Sequence, residues 1–213
     1  MANKFYENYF DVRFPNYAYR DTMWVPVVEY LQRYVPKDSV LLDLGAGFCN
    51  FVNHIVAKEK HASDFAEVVK EYAAPGVIAH VEDCTKLTHA DNTFDVVFES
   101  NMFEHLDYAE SHKAAQEVFR VLKPGGAFIA MQPNFRYFYK YYFDDYTHRQ
   151  PFSHVSFPNM LMNYGFEIQE VQPKFLPATF KQRLPRIPFL VKLYLMSPWR
   201  PRAGQMLVVA RKP

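Results

Sequence analysis

Hydrophobic positions in the first two thirds of the chain alternate between helical spacing and short continuous runs. Residues Arg20–Val35 carry apolar side chains at helical spacing, which predicts an amphipathic helix that Asp21 would cap and Pro36 would end. The runs that follow predict strands at Ser39–Leu44, Lys60–Asp64, Val77–Glu82, Phe94–Glu99 and Ala127–Gln132, and helices at Phe48–Ala57, Phe65–Ala73 and Ser111–Leu122. This alternation indicates parallel βαβ units, with helices on both faces of one sheet.

The pattern loosens after Gln132. An aromatic and charged segment leads to a predicted helix near residues 153–163 and to strands at Phe166–Val171 and Gln205–Arg211. Residues 174–204 hold seven basic residues and five of the fifteen prolines. No interdomain linker is evident, so we expect residues 1–213 to form one domain: a helical cap at 1–37, a core at 38–172, an insertion at 173–204 and a last strand at 205–213.

Composition narrows the class of protein. With 49% hydrophobic residues the chain can bury one core, and its net charge of +1 gives no global field for nucleic acid. The two cysteines lie inside predicted elements, which suits reduced thiols in the cytoplasm. The amino terminus lacks an apolar signal core, and no run reaches the roughly 18 residues of a membrane span. We therefore expect a soluble, cytoplasmic protein. Aromatic clusters at Phe5–Tyr19 and Phe135–Tyr146 favour core or lid packing.

Polar residues follow the predicted strands where an open sheet binds ligands, beyond the carboxyl ends of its strands. Val40–Asn50 reads VLLDLGAGFCN, so Gly45 and Gly47 follow an apolar run and open a loop suited to a nucleotide-like cofactor. Asp64 lies 21 residues after Asp43, near the spacing at which an acid accepts ribose hydroxyls. The next two strand ends offer further polar residues, namely Glu82, Asp83 and Cys84, then Glu99, Ser100 and Asn101.

Five segments together carry a resemblance to a known family. They read VLLDLGAG, SDF, VEDC, FDVVFESN and RVLKPGG, in this order from residue 40 to residue 126. In order and spacing they resemble the class I S-adenosylmethionine-dependent methyltransferases. The resemblance implies a Rossmann-like, three-layer α/β fold with a seven-stranded, mostly parallel sheet. It also implies an antiparallel final hairpin, formed here by Phe166–Val171 and Gln205–Arg211.

The resemblance also assigns roles in binding S-adenosylmethionine, whose product would be S-adenosylhomocysteine. Gly45, Ala46 and Gly47 would approach the methionine part, and Asp43 would reach its ammonium through water. On the adenosine side Asp64 would bind the ribose, Phe65 would pack on adenine, and Asp83 with Cys84 would border the adenine amino group. The backbone at Ser100 and Asn101 would complete the head-group site. Two departures stand out: Cys49 replaces a frequent third glycine, and His-Ala-Ser before Asp64 is unusually polar.

Each assignment has a simpler structural alternative. Asp43 and Asp64 could cap the helices that follow them, Asp83 could end a strand without binding anything, and His105 could pack beneath the site. Two other functional classes also stay open: a cofactor-binding scaffold without catalysis, and an NAD-dependent oxidoreductase. The oxidoreductase is disfavoured because its third glycine or alanine would fall at position 50, where this chain has Asn.

The sequence indicates less about the acceptor than about the cofactor. Asp144, Asp145 and His148 form the one local acid and base candidate, and we predict that His148, oriented by Asp144 or Asp145, contacts a small-molecule acceptor. The alternative is a cap or a salt bridge to Arg149. We predict no metal ion, because no carboxylates cluster at a recognisable spacing.

The layout resembles bacterial methyltransferases of surface-glycan and secondary-metabolite pathways, which suggests a saccharide or a similar hydroxylated acceptor. Residues 175–202 combine basic and apolar side chains. They are interpreted as an insertion packed on the core, in preference to a surface that docks on a membrane.

Overall fold

The computed structural model describes residues 17–178 and 187–213. Its strands are β1 Val40–Leu44, β2 Glu59–Asp64, β3 Val77–Val81, β4 Phe94–Ser100, β5 Leu122–Pro133, β6 Glu167–Gln172 and β7 Gln205–Arg211. Its α-helices are α1 Tyr17–Leu31, α2 Val68–Tyr72, α3 Tyr108–Val121, α4 Phe135–Phe138, α5 Ser156–Asn163 and α6 Pro188–Met196. Short 3₁₀ turns cover Gln32–Tyr34, Phe103–His105 and Tyr139–Asp144. The aromatic cluster predicted at Phe5–Tyr19 and the basic residues Lys181, Arg183 and Arg186 lie wholly or mostly outside the described residues.

The seven strands form one sheet in the order β3-β2-β1-β4-β5-β7-β6. Strands β1 to β5 pair in parallel, whereas β7 runs antiparallel to both β5 and β6. The predicted mostly parallel sheet with an antiparallel final hairpin is therefore confirmed. The order of the strands reverses between β1 and β4: from β1 the chain adds β2 and β3 on one side, and then β4 and β5 on the other. An α/β sheet opens a crevice for ligands at the carboxyl ends of two such neighbouring strands.

Hydrophobic side chains cover both faces of the sheet. One cluster joins α1 and α6 to the sheet, and it includes Trp24, Leu31 and Val191. The other cluster joins α3 and α5 to the opposite face, and it includes Val118 and Leu161. Because both faces are buried, the central strands are apolar throughout rather than alternating, as their sequence runs indicate.

The predicted helix at Phe48–Ala57 is wrong. Residues 47–54 form successive hydrogen-bonded turns. Cys49 has a φ of +58°, which a right-handed helix excludes, so this cysteine takes the left-handed conformation that glycine adopts more easily. The N–H of Val52 also leaves the helical pattern, since it donates to the carboxylate of Asp43 at 3.2 Å.

Two further boundaries differ from the sequence prediction. Helix α1 already begins at Tyr17, so Asp21 lies inside it and is no N-cap; its carboxylate instead accepts a hydrogen bond from Asn50 and contacts His54. Residues Lys123–Gly126, which separate the predicted helix Ser111–Leu122 from the predicted strand Ala127–Gln132, lie within β5, where a register shift beside Phe94 accommodates them. A bulge of this kind absorbs extra residues without ending the strand.

Candidate active site

The glycine loop after β1 is tied to the end of β2. The N–H groups of Gly45 and Ala46 both donate to the carbonyl of Ser63, at 2.8 and 2.9 Å. The N–H of Gly47 donates to the carboxylate of Asp64 at 2.8 Å. These three amides are therefore directed at β2 and hold the loop in place.

Met102 lies directly over Gly45. Gly45 has a φ of +71°, and a Cβ built on it would lie 2.9 Å from Met102 Cγ. Position 45 therefore requires glycine for two separate reasons, its backbone conformation and its contact with Met102. The contact also places the segment after β4 against the glycine loop.

The two acids predicted for the cofactor are held by backbone amides. Asp43 is 2% exposed, and burial raises the pKa of its carboxyl to about 8 despite the hydrogen bond from Val52. Asp64 accepts from Gly47 and from Ala66, the latter at 2.9 Å. Burial raises the pKa of Asp64 as well, although these hydrogen bonds oppose the rise. Both carboxylates thus brace the loop, the structural role that the sequence left open for them.

The adenine-side residues follow β2 and β3. Phe65 is 46% exposed directly after Asp64, so its ring is accessible to a planar ligand. Asp83 is exposed, and its carboxylate accepts the N–H of Thr85 at 2.8 Å in a local turn. Cys84 is half-buried, and burial raises the pKa of its thiol to about 12.

Ser100 and Asn101 end β4 in an unusual conformation. Asn101 has a φ of +56°, and its N–H donates to the carbonyl of Met131 on β5 at 2.9 Å. Its side chain donates to Ser100 and accepts from Gln205 of β7, at 2.8 and 2.9 Å. This hydrogen-bond network joins the ends of three strands and turns the chain toward Met102.

Beyond Met102, a chain of hydrogen bonds joins His105, Thr147 and Asp145. The hydroxyl of Thr147 donates to Asp145 Oδ1 at 2.6 Å and lies 2.9 Å from His105 Nδ1. A hydroxyl has one proton to donate, so His105 Nδ1 carries the proton of that second hydrogen bond. A neutral His105 therefore has its lone pair on Nε2. Sequence reasoning gave His105 a packing role and missed this connection, because Thr147 lies 42 residues away.

His148 lies beside His105 with ring centroids 5.0 Å apart. Its Nε2 is 4.0 Å from Asp145 Oδ2, which is an ion-pair distance rather than a hydrogen-bond distance, and both side chains are buried. Asp144 is exposed and ends the preceding 3₁₀ turn, so of the two predicted acids only Asp145 shares the site. Asp145 therefore lies beside His148, as predicted, and is also connected to His105 through Thr147.

Backbone and charged contacts hold the 145–150 loop over the turn after β4. The N–H groups of Arg149 and Gln150 donate to the carbonyl of Glu104 at 2.8 and 3.2 Å. The Arg149 guanidinium pairs with Asp107 and Glu110, the residues that form the capping box of α3. A salt bridge from Arg149 to the acids of its own loop, the alternative left open by the sequence, is therefore wrong.

Two buried acids lie beneath this cluster. Glu99 and Glu104 are at most 1% exposed, and within the described part of the chain Glu99 Oε1 and both oxygens of Glu104 have no hydrogen-bond partner. Burial, reinforced by Glu104, raises the pKa of Glu99 well above its usual range. Burial and, after it, Asp145 raise the pKa of Glu104 to about 8. The sequence signal was an acid at the end of an otherwise apolar strand, followed by a second acid in the next turn.

Aromatic side chains of the 135–146 segment divide between core and surface. Tyr142 is fully buried against His148 and donates its hydroxyl to the carbonyl of Gln150 at 2.7 Å. Tyr139 is 57% exposed and, with Phe135 and Arg136, lines an open groove of about 450 Å³. The described part of the segment therefore provides both core packing and one wall of an open groove.

Helix α6 packs on α1. Val191 and Leu195 are buried in the same core cluster as α1, and Lys192 pairs with Glu29 at 2.8 Å. The predicted packed insertion is thus confirmed for this helix, while Phe189 and Met196 remain exposed. Among the helices of residues 17–178 and 187–213, none combines the length and the apolar character needed to cross a bilayer.

Comparison with known proteins extends these observations. A family model described as a methyltransferase domain matches residues 28–130. Methyltransferase ltbC of Aspergillus luteorubrus, named as probable, is 28% identical over 174 residues, or 72% of this chain and 59% of that protein. Demethylmenaquinone methyltransferase of Bacteroides fragilis is 34% identical over 100 residues, or 46% of this chain and 34% of that protein. The matches thus span less than two thirds of either relative.

A solved S-adenosylmethionine-dependent methyltransferase from Archaeoglobus fulgidus shares the fold, with a TM-score of 0.70 and 17% identity over 97% of this chain and 100% of that one. The matched family model covers the glycine loop, β2, β4 and most of β5, the elements that place Asp64 and Asn101. Residues 28–130 thus match a methyltransferase domain, and the sheet order and fold of the described residues are those of the class I S-adenosylmethionine-dependent methyltransferases, whose cofactor is S-adenosylmethionine.

Proposed function

We propose that this chain transfers the methyl group of S-adenosylmethionine to a hydroxyl group of a small-molecule acceptor. The acceptor belongs to the saccharides or the hydroxylated secondary metabolites, and it binds beside His105. The hydrogen-bonded series His105, Thr147 and Asp145 carries this proposal. A hydroxyl arrives protonated and is a weak nucleophile, so a base at this position has a chemical purpose.

The residues after β1, β2 and β4 fit the cofactor. Gly45 lets Met102 pack against the loop, Phe65 offers an exposed ring for adenine, and Asp64 ends β2, the strand end at which an acid accepts ribose hydroxyls. Asp43, Ala46, Gly47, Asp83, Cys84, Ser100 and Asn101 border the same strand ends. When bound, the cofactor supplies a methyl group on a sulfonium, which needs alignment with the acceptor more than further activation.

His105 acts as the general base in this proposal. Its Nδ1 proton points to Thr147, so in the neutral ring Nε2 carries the lone pair that would accept a hydroxyl proton. Asp145 accepts from Thr147 and lies at ion-pair distance from His148, so its charge stabilises an imidazolium on either ring. His148 packs against His105 and contacts the acceptor from the second side. Asp145 is thus a positioning residue, and the histidines touch the substrate.

The test measures methyl transfer from radiolabelled S-adenosylmethionine to simple hexosides, phenols and reduced 1,4-naphthoquinone. We expect His105→Gln to lower kcat on the accepted compound by about 10²- to 10⁴-fold, as loss of a general base does, while S-adenosylhomocysteine affinity stays within about 2-fold. His148→Gln should raise the acceptor KM more than it lowers kcat. His112→Gln, on α3 and hydrogen-bonded to Tyr164, is the matched control.

Two results would contradict the proposal. Unchanged kcat in His105→Gln would show that His105 is not the general base. Binding of NAD without binding of S-adenosylhomocysteine would show that the cofactor is NAD. Binding of S-adenosylhomocysteine without transfer to any compound in the panel would favour the scaffold alternative.

A second candidate reaction is methylation of a ring carbon of a quinol. It rests on the demethylmenaquinone methyltransferase match, which includes 46% of this chain. Removal of a proton from a quinol hydroxyl by His105 would activate the ring carbon next to it, so the same base serves either reaction. Mass spectrometry of the methylated naphthoquinol distinguishes an ether from a C-methyl product.

A further inference from the structure

Three histidines meet on the sheet, outside the candidate active site. His61 lies on β2, His80 on the edge strand β3, and His89 in the loop between β3 and β4. His61 precedes Asp64 by three residues, so the two side chains project from opposite faces of β2. In the register of the two strands His80 pairs with Ser63, which places the side chains of His61 and His80 diagonally on one face.

The ring nitrogens of these histidines converge. His61 Nδ1 lies 3.0 Å from His80 Nε2, and one ligand atom from each of the three rings lies within 4.8 Å of the others. Nitrogens bound at about 2.0–2.1 Å in a tetrahedral zinc site lie roughly 3.4 Å apart. The observed spacing brackets this value, so small rotations of the rings bring all three nitrogens into coordination distance.

Carboxylates contact the Nε2 atoms of two of these histidines. His61 Nε2 lies 2.7 Å from Glu59 Oε1, and His89 Nε2 lies 3.2 Å from Glu82 Oε1. The other oxygen of Glu82 accepts from the N–H and the hydroxyl of Thr88, at 2.9 and 2.8 Å, which fixes this carboxylate beside His89. Histidine ligands of metals donate their second N–H to carboxylates in this way, which fixes the tautomer and orients the ring.

The surroundings suit a neutral imidazole ligand. Phe94 packs its ring against His61 and His89, with centroids 5.2 and 4.9 Å away, and excludes water from that side. Zinc binds histidine through a neutral imidazole nitrogen. The cluster also accounts for the polar His-Ala-Ser before Asp64, which the cofactor site itself does not need.

We propose that His61, His80 and His89 form a Zn²⁺ site that joins β2, β3 and the loop of residues 82–93. Three neutral imidazoles with carboxylates behind them are a ligand set that zinc prefers over magnesium or calcium. The ion cross-links the edge strand to its neighbour and to the loop that begins with Asp83. This proposal departs from the expectation, drawn from the sequence, that no metal ion is bound. The three histidines are too far apart in the chain to form a recognisable metal-binding motif.

The test uses the full chain after removal of metal with a chelator. Zn²⁺ alone is titrated in competition with a chromophoric chelator, and Co²⁺ is added in parallel to record the intense visible absorption of a tetrahedral site. We expect one ion at this cluster in the wild type, and His80→Asn should weaken its binding at least about tenfold, as loss of one of three ligands does. His112→Asn is the control for a histidine outside the cluster.

A second group, Glu104, His105 and His148, also brings its ligand atoms within 4.8 Å, so its contribution must be separated. Loss of Zn²⁺ binding in His148→Asn but not in His80→Asn would overturn the proposal, as would equal binding by the wild type and His80→Asn. Equal binding would mean that Glu59, His61 and His80 form only a hydrogen-bonded relay.

If circular dichroism shows that His80→Asn does not fold, a measurement on the wild type tests the proposal instead. Diethyl pyrocarbonate modifies histidine nitrogens, and mass spectrometry locates the products. Zn²⁺ should protect His80 and His89 at least about fivefold while leaving His112 unchanged, because a coordinated nitrogen has no free lone pair. Equal modification of His80 with and without Zn²⁺ would overturn the proposal.

Discussion

His105 and Thr147 are joined by a hydrogen bond of 2.9 Å between Nδ1 and Oγ1. The first residue belongs to the turn after β4, and the second to the loop that follows the 3₁₀ turn Tyr139–Asp144. The loop reaches this position because Glu104 accepts two of its backbone amides. An acid and base group thus forms from two segments, neither of which contains it alone.

Removal of the Thr147 hydroxyl should slow the reaction without changing cofactor binding. In Thr147→Val the carboxylate of Asp145 no longer reaches His105 through a hydrogen bond, so we expect kcat to fall about 10- to 100-fold, less than on loss of the base itself. Thr147→Ser keeps the hydroxyl and should recover most of the rate. This recovery distinguishes a positioning role of the hydroxyl from loss of packing at residue 147.

Asp64 and Asp83 should differ in their effect on the cofactor. Asp64→Ala removes a carboxylate that also accepts the N–H of Gly47, and we expect S-adenosylhomocysteine to bind about 10- to 100-fold more weakly by calorimetry. Asp83→Ala removes an exposed carboxylate that serves a local turn, and the loss should be below about 10-fold. A larger loss of S-adenosylhomocysteine affinity in Asp83→Ala than in Asp64→Ala would contradict the proposal that Asp64 contributes more to cofactor binding.

Gly45→Ala should destabilise the fold through two separable effects. The left-handed φ of Gly45 costs an alanine about 1–2 kcal/mol, and the contact at 2.9 Å with Met102 adds to this. Gly76 has a φ of +90° with no atom within 4 Å of a built Cβ, so Gly76→Ala measures the backbone effect alone. Urea unfolding should therefore show a greater loss at position 45. Adding Met102→Ala to Gly45→Ala removes Cγ and Sδ but leaves the Cβ of residue 102 at 3.0 Å, so it should recover part of the difference; no recovery would argue against Cγ and Sδ as the cause.

Stability should fall as the pH rises from about 5 toward 8. Burial raises the pKa of Glu104 to about 8, so the folded state retains a proton that the unfolded chain releases near its usual value of about 4.3. A folded state that binds more protons loses stability with increasing pH, by at most about 1.4 kcal/mol per pH unit for each such group. Asp43, with a pKa of about 8, contributes in the same direction.

Replacement of Glu104 isolates its part of this pH dependence. Glu104→Gln cannot lose a proton, so its urea midpoint should vary less between pH 5 and pH 8 than that of the wild type. Glu167→Gln, at an exposed position on β6, serves as the control and should retain the wild-type slope. An unchanged slope in Glu104→Gln would mean that this carboxyl does not titrate in the range.

The sequence by itself determined the sheet and the strand ends at which the candidate cofactor residues lie. Apolar runs fix strands through burial on both faces, and a glycine pair after the first run marks the ligand end of the sheet. Local patterns therefore sufficed for β1, β4 and β7, and for Asp43 and Asp64. The tertiary structure alone decided that Cys49 breaks the predicted helix, that Asp145 acts through Thr147 on His105, and that His61, His80 and His89 meet. These are contacts between side chains distant in sequence, and they depend on strand register and loop anchoring, which periodicity does not encode.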